Sequence, residues 1–215
     1  MKTYLVIGAI NAPAIDTPAV MVRNPQGKRV FDLAVSAAGL FILSPLMLLI
    51  ALLIKCTSKG PVLYRQERVG KGGKPFTMYK FRSMRTDAEK DGPALSRRND
   101  PRITKTGRFL RKSRLDELPQ LWNVVRGDMS MVGPRPERQY FIDRITNHAP
   151  NFERLLAIKP GLTSMGIVRF GYASTVAEMI DRQRHDQYYL ENRSAALDMR
   201  ILVQSVQVVL SRKGK

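Results

Sequence analysis

Leu33-Ala-Val-Ser-Ala-Ala-Gly-Leu-Phe-Ile-Leu-Ser-Pro-Leu-Met-Leu-Leu-Ile-Ala-Leu-Leu-Ile54 is a run of 22 residues without a charge, closed by Asp32 on one side and Lys55 on the other. At about 1.5 Å per residue a helix of this length reaches roughly 33 Å, enough to cross a bilayer core. The alternative, a buried core helix, needs a surrounding domain large enough to enclose it. Ser44-Pro45 sits at its middle. Proline removes a backbone donor and clashes with the preceding turn, so a bend is expected there. Arg23, Lys28 and Arg29 flank one end, and Lys55 and Lys59 the other. Basic flanks favour the cytoplasmic side. A bent, re-entrant helix satisfies both ends, whereas a straight span satisfies one. The expected division is an N-terminal extension (1–30), a membrane helix that the flanking charges favour as re-entrant (31–54), and a domain at the membrane face (55–213) that forms one unit with that helix.

Outside this helix the chain is basic. The 215 residues carry 36 Lys+Arg against 18 Asp+Glu, a net charge of +18, which points to an anionic partner such as nucleic acid, an acidic membrane surface or a phosphate-bearing substrate. Tyr64 to Arg114 alone holds 16 Lys/Arg against 5 Asp/Glu, a net of +11. The single cysteine, Cys56, excludes an internal disulfide and a cysteine-only metal cage, and fits a reducing, cytoplasmic setting.

The basic segment leads into Arg108-Phe-Leu-Arg-Lys-Ser-Arg-Leu-Asp116-Glu117, where Arg108, Arg111, Lys112 and Arg114 precede an adjacent acidic pair. Nearby cations favour the charged carboxylate, so both acids are expected to be ionised. The pair suits an anionic nucleophile or a metal ligand facing an anionic substrate, or else a helix start that complements the macrodipole. A rigid Pro134-Arg135-Pro136 follows. Arg111 and Arg135 can each contact phosphate oxygens in bidentate fashion. Lys80 and Arg82 are weaker candidates for the same task. His148 and His185 read as surface residues, and Trp122 as packing.

The remaining elements are short. Tyr4–Ile10 reads as a strand or an interfacial segment, with a linker running on to Gly27. Residues 60–84 read as two strands around a glycine-rich turn, Gly70 to Gly73. Tyr64, Phe76, Tyr79 and Phe81 form its apolar faces, and Arg65, Arg68, Lys80 and Arg82 the opposite ones. Residues 86–101 read as a mobile loop. Ile103–Trp122 reads as helix in pieces interrupted at Pro119, and Glu137–Ile158 as helix broken at Pro150. Lys159-Pro160-Gly161 is expected as a turn and Ser164–Phe170 as a strand. Val176–Asp186 and Gln187–Leu210 are expected as two helices, the second amphipathic and lying on a membrane or on the core. The expected fold class is α+β, mostly α.

Several motifs stand in one order: the Ser44-Pro45 segment, Gln66-Glu-Arg-Val-Gly70, Tyr79-Lys-Phe-Arg-Ser-Met84, Asp100-Pro-Arg-Ile-Thr104, Leu115-Asp-Glu-Leu-Pro-Gln-Leu121, Gly127-Asp-Met-Ser130, Val132-Gly-Pro-Arg-Pro136 and Lys159-Pro-Gly-Leu-Thr163. Together they make the chain resemble the bacterial sugar transferase family, the monotopic polyprenyl-phosphate phosphoglycosyl transferases, from about Arg29 to Lys213.

The resemblance implies an enzyme that moves a phospho-sugar from a UDP-sugar to polyprenyl (undecaprenyl) phosphate and releases UMP, so initiating a membrane-linked glycan such as O-antigen, capsule or exopolysaccharide. It implies an active site at the cytoplasmic face of the bacterial inner membrane, a re-entrant helix kinked at Ser44-Pro45, and a Mg²⁺ requirement. Carried over, Asp116 is the nucleophile that takes the phospho-sugar covalently and Glu117 its partner, with both acids available to the metal. Lys80, Arg82, Arg111, Arg114, Arg135 and Asp186 are expected to bind substrate. Asp186 matches an acidic family position, and a helix cap is its alternative role. The implied partners are a UDP-sugar, polyprenyl phosphate and the phospholipid bilayer, without nucleic acid; a homodimer is an allowed assembly.

After Leu162-Thr163 the family tract resembles Gly-Leu-Ala-Gln-Val-Asn-Gly-Arg, whereas this chain reads Ser-Met-Gly-Ile-Val-Arg-Phe-Gly-Tyr-Ala (164–173), a place where sugar discrimination is expected. Two other functions fit parts of the sequence. A nucleic-acid binder would explain the charge but not the apolar helix, and no nucleic-acid motif is present. A non-catalytic membrane scaffold would explain the helix but not an acidic pair inside a cationic cluster.

Overall fold

The structure is a computed structural model that describes residues 25–97 and 99–210. Tyr4–Ile10, most of the linker and Arg23 lie outside the described residues. The apolar run forms the centre of one helix, α1 (Lys28–Thr57), which starts after Gly27 and contains Pro45. Proline leaves the Phe41 carbonyl without its helical donor. The Ser44 hydroxyl donates to that carbonyl at 2.8 Å, so the dipeptide carries its own repair.

α1 is bolted down at both ends. Near its start, Arg29 donates to the Val124 and Val125 carbonyls, and the buried Asp32 accepts from the Ser130 hydroxyl (2.7 Å) and the Met131 N–H (3.1 Å). Lys28 reaches Asp198 at 2.6 Å. Near its end, Ile50 and Ile54 pack with Phe81 and Leu110 in a small core. The rest of the helix is bare. Only 11% of its most apolar window is buried, and nine large apolar side chains, among them Phe41, Ile42, Leu48 and Leu49, are exposed. This rules out the buried-core alternative. An apolar face of that size exceeds what a soluble monomer leaves in water, and α1 is long and apolar enough to cross a membrane.

The glycine-rich turn does join two strands, β1 (Leu63–Val69) and β2 (Pro75–Phe81), paired antiparallel from Leu63 opposite Phe81 to Val69 opposite Pro75. Gly72 and Gly73 carry φ of 68° and 75° at the turn. The register corrects the expected faces. Tyr64 stands opposite Lys80, so the aromatic and the cation share one face, while Arg65 stacks on the Tyr79 ring on the other.

Next come α2 (Lys105–Lys112), a 3₁₀ turn at Leu115–Glu117, and α3 (Gln120–Arg126). Pro119 separates the last two, as expected. The Thr104 hydroxyl caps α2 by accepting from Gly107 N–H at 2.9 Å, and Thr104 N–H donates to the Ser83 carbonyl at 3.1 Å. This draws α2 onto the end of β2 so closely that a Cβ on Gly107 would lie 1.9 Å from the Ser83 carbonyl oxygen. The Gly107→Ala variant is therefore expected to lose about 3 kcal/mol through backbone overpacking. Thermal unfolding in detergent checks this, and an unchanged midpoint would refute so tight a crossing.

The expected turn at Lys159–Gly161 runs directly into a strand: β4 (Gly161–Thr163) forms a short parallel ladder with β3 (Ser130–Val132). Three residues per strand are too few for a period-2 pattern to register. α4 (Gln139–Thr146) and a 3₁₀ stretch (Pro150–Ala157) confirm the break at Pro150. Ser164–Phe170 is not a strand. It is α5 (Met165–Arg169), started by Ser164, whose hydroxyl accepts from Ile167 N–H at 3.0 Å; that cap outweighs the β-branched run. The two closing helices are α6 (Val176–Glu191) and α7 (Ala195–Leu210). The break between them falls after Glu191 rather than after Asp186. α7 packs Ile201 into the main core and leaves Met199, Val203 and Val206 exposed, so it is amphipathic against the core. Among the described residues the fold is helical with two two-stranded sheets, in keeping with the α+β, mostly α class.

Candidate active site

The strand pair, the 86–101 loop, α2, the 3₁₀ turn and the Pro-Arg-Pro element enclose a cavity of about 1000 Å³. Lys80, Arg82, Arg111, Asp116, Glu117 and Arg135 line it. Six of the eight residues expected to react or to bind substrate therefore converge, across chain separations of up to 55 positions. Arg114 and Asp186 do not line it, and both expectations change.

Asp116 and Glu117 are 6% exposed each and sit in the 3₁₀ turn ahead of α3 rather than in a helical first turn. Arg114 enters that turn at φ 55°, a left-handed conformation uncommon for a non-glycine residue. Glu117 Oε1 accepts from Lys80 Nζ at 2.7 Å and from Arg135 at 3.2 Å. Burial works to raise Glu117, but Lys80 and Arg135 outweigh it and hold the carboxyl well below the usual range. Asp116 behaves differently. Burial, then the charge of Glu117, push it up, and Lys80, Arg111 and Arg135 only partly offset them. The expectation that both acids are comfortably ionised holds for Glu117. For Asp116 the charged form is harder to reach than expected, because burial and the Glu117 charge outweigh Lys80, Arg111 and Arg135. Glu117 is thus a charge fixed by Lys80 and Arg135, and Asp116 is a buried carboxyl without an ion pair among the described residues.

The cations around the pair are only partly committed. Arg82 donates to the Ser58 carbonyl and hydroxyl at 2.8 and 2.7 Å, tying β2 to the end of α1, yet its Nη1 is buried without a partner. Arg111 donates to Ser96 at 2.9 Å, and its Nε is likewise buried without a partner. Orphaned guanidinium donors on a cavity wall are costly unless a ligand takes them. Phosphate oxygens have the charge and geometry to do so.

Asp186 is 3% exposed and lies inside α6, so it is not the N-cap of that helix, and it is not among the residues lining the cavity. It accepts from Gly166 N–H at 2.8 Å, from the Ser164 side chain and from the backbone N–H of Arg135. Burial nevertheless pushes its carboxyl up to about 6. A Cβ on Gly166 would sit 3.0 Å from Asp186 Oδ2. Asp186 thus fastens the Pro-Arg-Pro element to α5 and α6.

Sequence reasoning missed part of the wall. Arg68 and Arg182 both pair with Glu137, and all three line the cavity. The 86–101 loop is tied across it by Glu89, which accepts from Arg138 at 2.7 Å and from the Tyr64 hydroxyl at 3.0 Å. Its base is held by the Asp100–Arg102 pair at 2.6 Å, whose hydrogen bond keeps Asp100 well below the usual carboxylate range. Tyr172, from the tract that departs from the family pattern, also lines the cavity. The position of Glu137 directly after Pro-Arg-Pro was the available clue. His148 is exposed, as expected, whereas Trp122, expected as packing, is half exposed; neither lines the cavity.

Among the described residues no group of three or more His, Cys, Asp or Glu could hold a metal. Mg²⁺, however, is commonly bound through one or two carboxylates plus substrate phosphates and water. Asp116 and Glu117 on the cavity wall fit that oxygen donor set.

Paired carboxylates with opposed tendencies and several guanidinium groups thus share one cavity, in a chain that also carries a bare apolar helix. The chain belongs to the bacterial sugar transferase family, whose model matches residues 23–212. It is 40% identical over 187 residues to the UDP-N-acetylgalactosamine-undecaprenyl-phosphate N-acetylgalactosaminephosphotransferase of Aeromonas hydrophila, which covers 87% of this chain and 44% of that protein. It is 42% identical over 188 residues to a UDP-glucose:undecaprenyl-phosphate glucose-1-phosphate transferase of Caulobacter vibrioides, covering 86% and 70%. It is 41% identical over 194 residues to the exopolysaccharide production protein PSS of Rhizobium leguminosarum bv. phaseoli, covering 86% and 96%. The chain thus spans less than half of the Aeromonas protein and nearly all of the Rhizobium one.

Proposed function

We propose that this chain is a monotopic phosphoglycosyl transferase, moving a phospho-sugar from a UDP-sugar to undecaprenyl (polyprenyl) phosphate and releasing UMP. The reading is carried by the split of the acidic pair: Glu117 is clamped by Lys80 and Arg135, and Asp116 stands beside it without an ion pair. A carboxylate is a competent covalent nucleophile at phosphorus. In the first step an Asp116 oxygen bonds to the β-phosphorus as the bond from that phosphorus to the bridging oxygen breaks, and UMP leaves with the electron pair. In the second, an oxygen of the polyprenyl phosphate bonds to the same phosphorus and the Asp116 carboxylate departs. Arg111, Arg82 and Arg135 hold the negative oxygens in line, which is most of what phosphoryl transfer asks of a protein. Mg²⁺, bound at Asp116 and Glu117 together with the diphosphate, would neutralise charge on that diphosphate.

The exposed apolar face of α1 supports a membrane location, and the basic flanks at both of its ends together with Pro45 support a bent helix that enters and leaves at the cytoplasmic face of the bacterial inner membrane. Expected product-forming activity is tested with a panel of UDP-glucose, UDP-galactose and UDP-N-acetylgalactosamine, undecaprenyl phosphate and Mg²⁺, scored by UMP release. At least one donor should give UMP that depends on the lipid acceptor for turnover. No release with any sugar nucleotide would remove the reading.

A further inference from the structure

The Arg114 side chain lies outside the cavity, yet it is not idle surface. Its guanidinium sits 5.0 Å from the centre of the Tyr172 ring, and the Arg135 guanidinium sits 5.1 Å from the same ring. Arg135 in turn binds Glu117. Arg114 is also the residue whose left-handed backbone opens the turn that carries Asp116 and Glu117. The contacts close a circuit: Arg114 to the acidic turn by the chain, the turn to Arg135 by an ion pair, Arg135 to Tyr172 by its ring, and Tyr172 back to Arg114.

Arg114 forms no ion pair among the described residues, and its Nε is buried without a hydrogen-bond partner. An aromatic face attracts a guanidinium through its quadrupole without neutralising it. A carboxylate in the same place would cancel charge that a diphosphate substrate needs. Burial, then the charge of Glu117, hold the Tyr172 phenol protonated, well above its ordinary range, so the ring remains a neutral platform.

We propose that Tyr172 is a positioning residue for the phosphate-transfer site, its ring seating Arg114 and Arg135 so that the acidic turn and the Pro-Arg-Pro cation keep a fixed separation. The inference rests on the reading of the cavity as a diphosphate site.

The test uses the full chain in detergent, with UDP as the probe for binding by calorimetry and steady-state UMP release for catalysis. Tyr172→Leu is expected to weaken UDP binding about tenfold, the scale of one or two partly desolvated cation–π contacts. It should also raise KM for the UDP-sugar while KM for undecaprenyl phosphate stays put. Tyr172→Phe, which keeps the ring face, should restore most of the lost affinity. Arg114→Met should reproduce the Leu defect, and the double variant should be no worse than either alone, because both break one circuit. The proposal is overturned if Tyr172→Leu binds UDP as the parent does, if Phe fails along with Leu, or if the two losses add. A parent protein that binds UDP but releases no UMP from any sugar nucleotide would sink the transferase reading alone, since the role of the ring is read from UDP affinity.

Discussion

The Asp116→Asn variant is expected to lose at least about 10³-fold in UMP release, the scale seen when a covalent nucleophile is removed from a site whose binding groups remain. The substitution keeps shape and volume and removes only the charge. Because Asp116 has no ion pair among the described residues, its loss leaves no cation stranded, and the folded protein should be at least as stable as the parent. Burial and the Glu117 charge raise its carboxyl, so ionising it costs folding free energy that asparagine does not. Activity should vanish while the unfolding midpoint holds or rises. A variant that retained near-parental turnover, or that failed only by unfolding, would remove Asp116 from the reaction.

The second large effect belongs to Lys80. Lys80→Met deletes the shorter of the two bonds that hold Glu117, at 2.7 Å, in a site where both side chains are largely buried. Breaking a buried pair by removing one partner costs roughly 3–5 kcal/mol when the remaining charge is left uncompensated. Here Arg135 still offsets part of that cost. Turnover should fall about 10²-fold, the usual size for removing one preorganised electrostatic group.

The pH profile separates this loss from simple unfolding. Asp116 must be ionised to attack, so the rate should rise with pH through its pKa, and that limb should lie above the ordinary aspartate value of about 3.9. Lys80 is the first of the cations that lower Asp116. Deleting it removes a positive charge that favours the ionised form, so the acid limb should move further up in Lys80→Met and stay in place in Lys80→Arg. Stopped-time UMP assays between about pH 5 and 8 would show it, a window set by the direction of the Asp116 shift. A limb that did not move would mean that Lys80 does not act on Asp116.

Much of this was readable in the chain. A charge-free run of 22 residues can hardly be anything but an apolar helix, and the basic approach to Asp116-Glu117 marks an anion site. Strong periodicity, proline and glycine punctuation also placed the strand pair and most helix breaks. The short elements failed. β3 and β4 have three residues each, and α5 has five, lengths at which a single cap or backbone ladder decides the outcome. Asp186 was misplaced because its helix continues past it to Glu191. Nothing in a local window distinguishes a buried acceptor of backbone N–H groups from a helix cap.

What the sequence determined by itself, then, was composition-level physics: a lipid-facing helix, a surplus of cations, and two acids set among them. It also determined that Pro45 would need help, and it placed Ser44 next to it. Only the tertiary structure decided what each charge does. Lys80 and Arg135 meet Glu117 from positions 37 and 18 residues away, and that choice leaves Asp116 alone and desolvated. The same packing sets the Arg114 guanidinium against the Tyr172 ring and buries Asp186 where it accepts from Gly166 N–H. Charge type is local and survives in a linear reading. Burial and pairing are long-range, and they are what separate a nucleophile from a counter-ion.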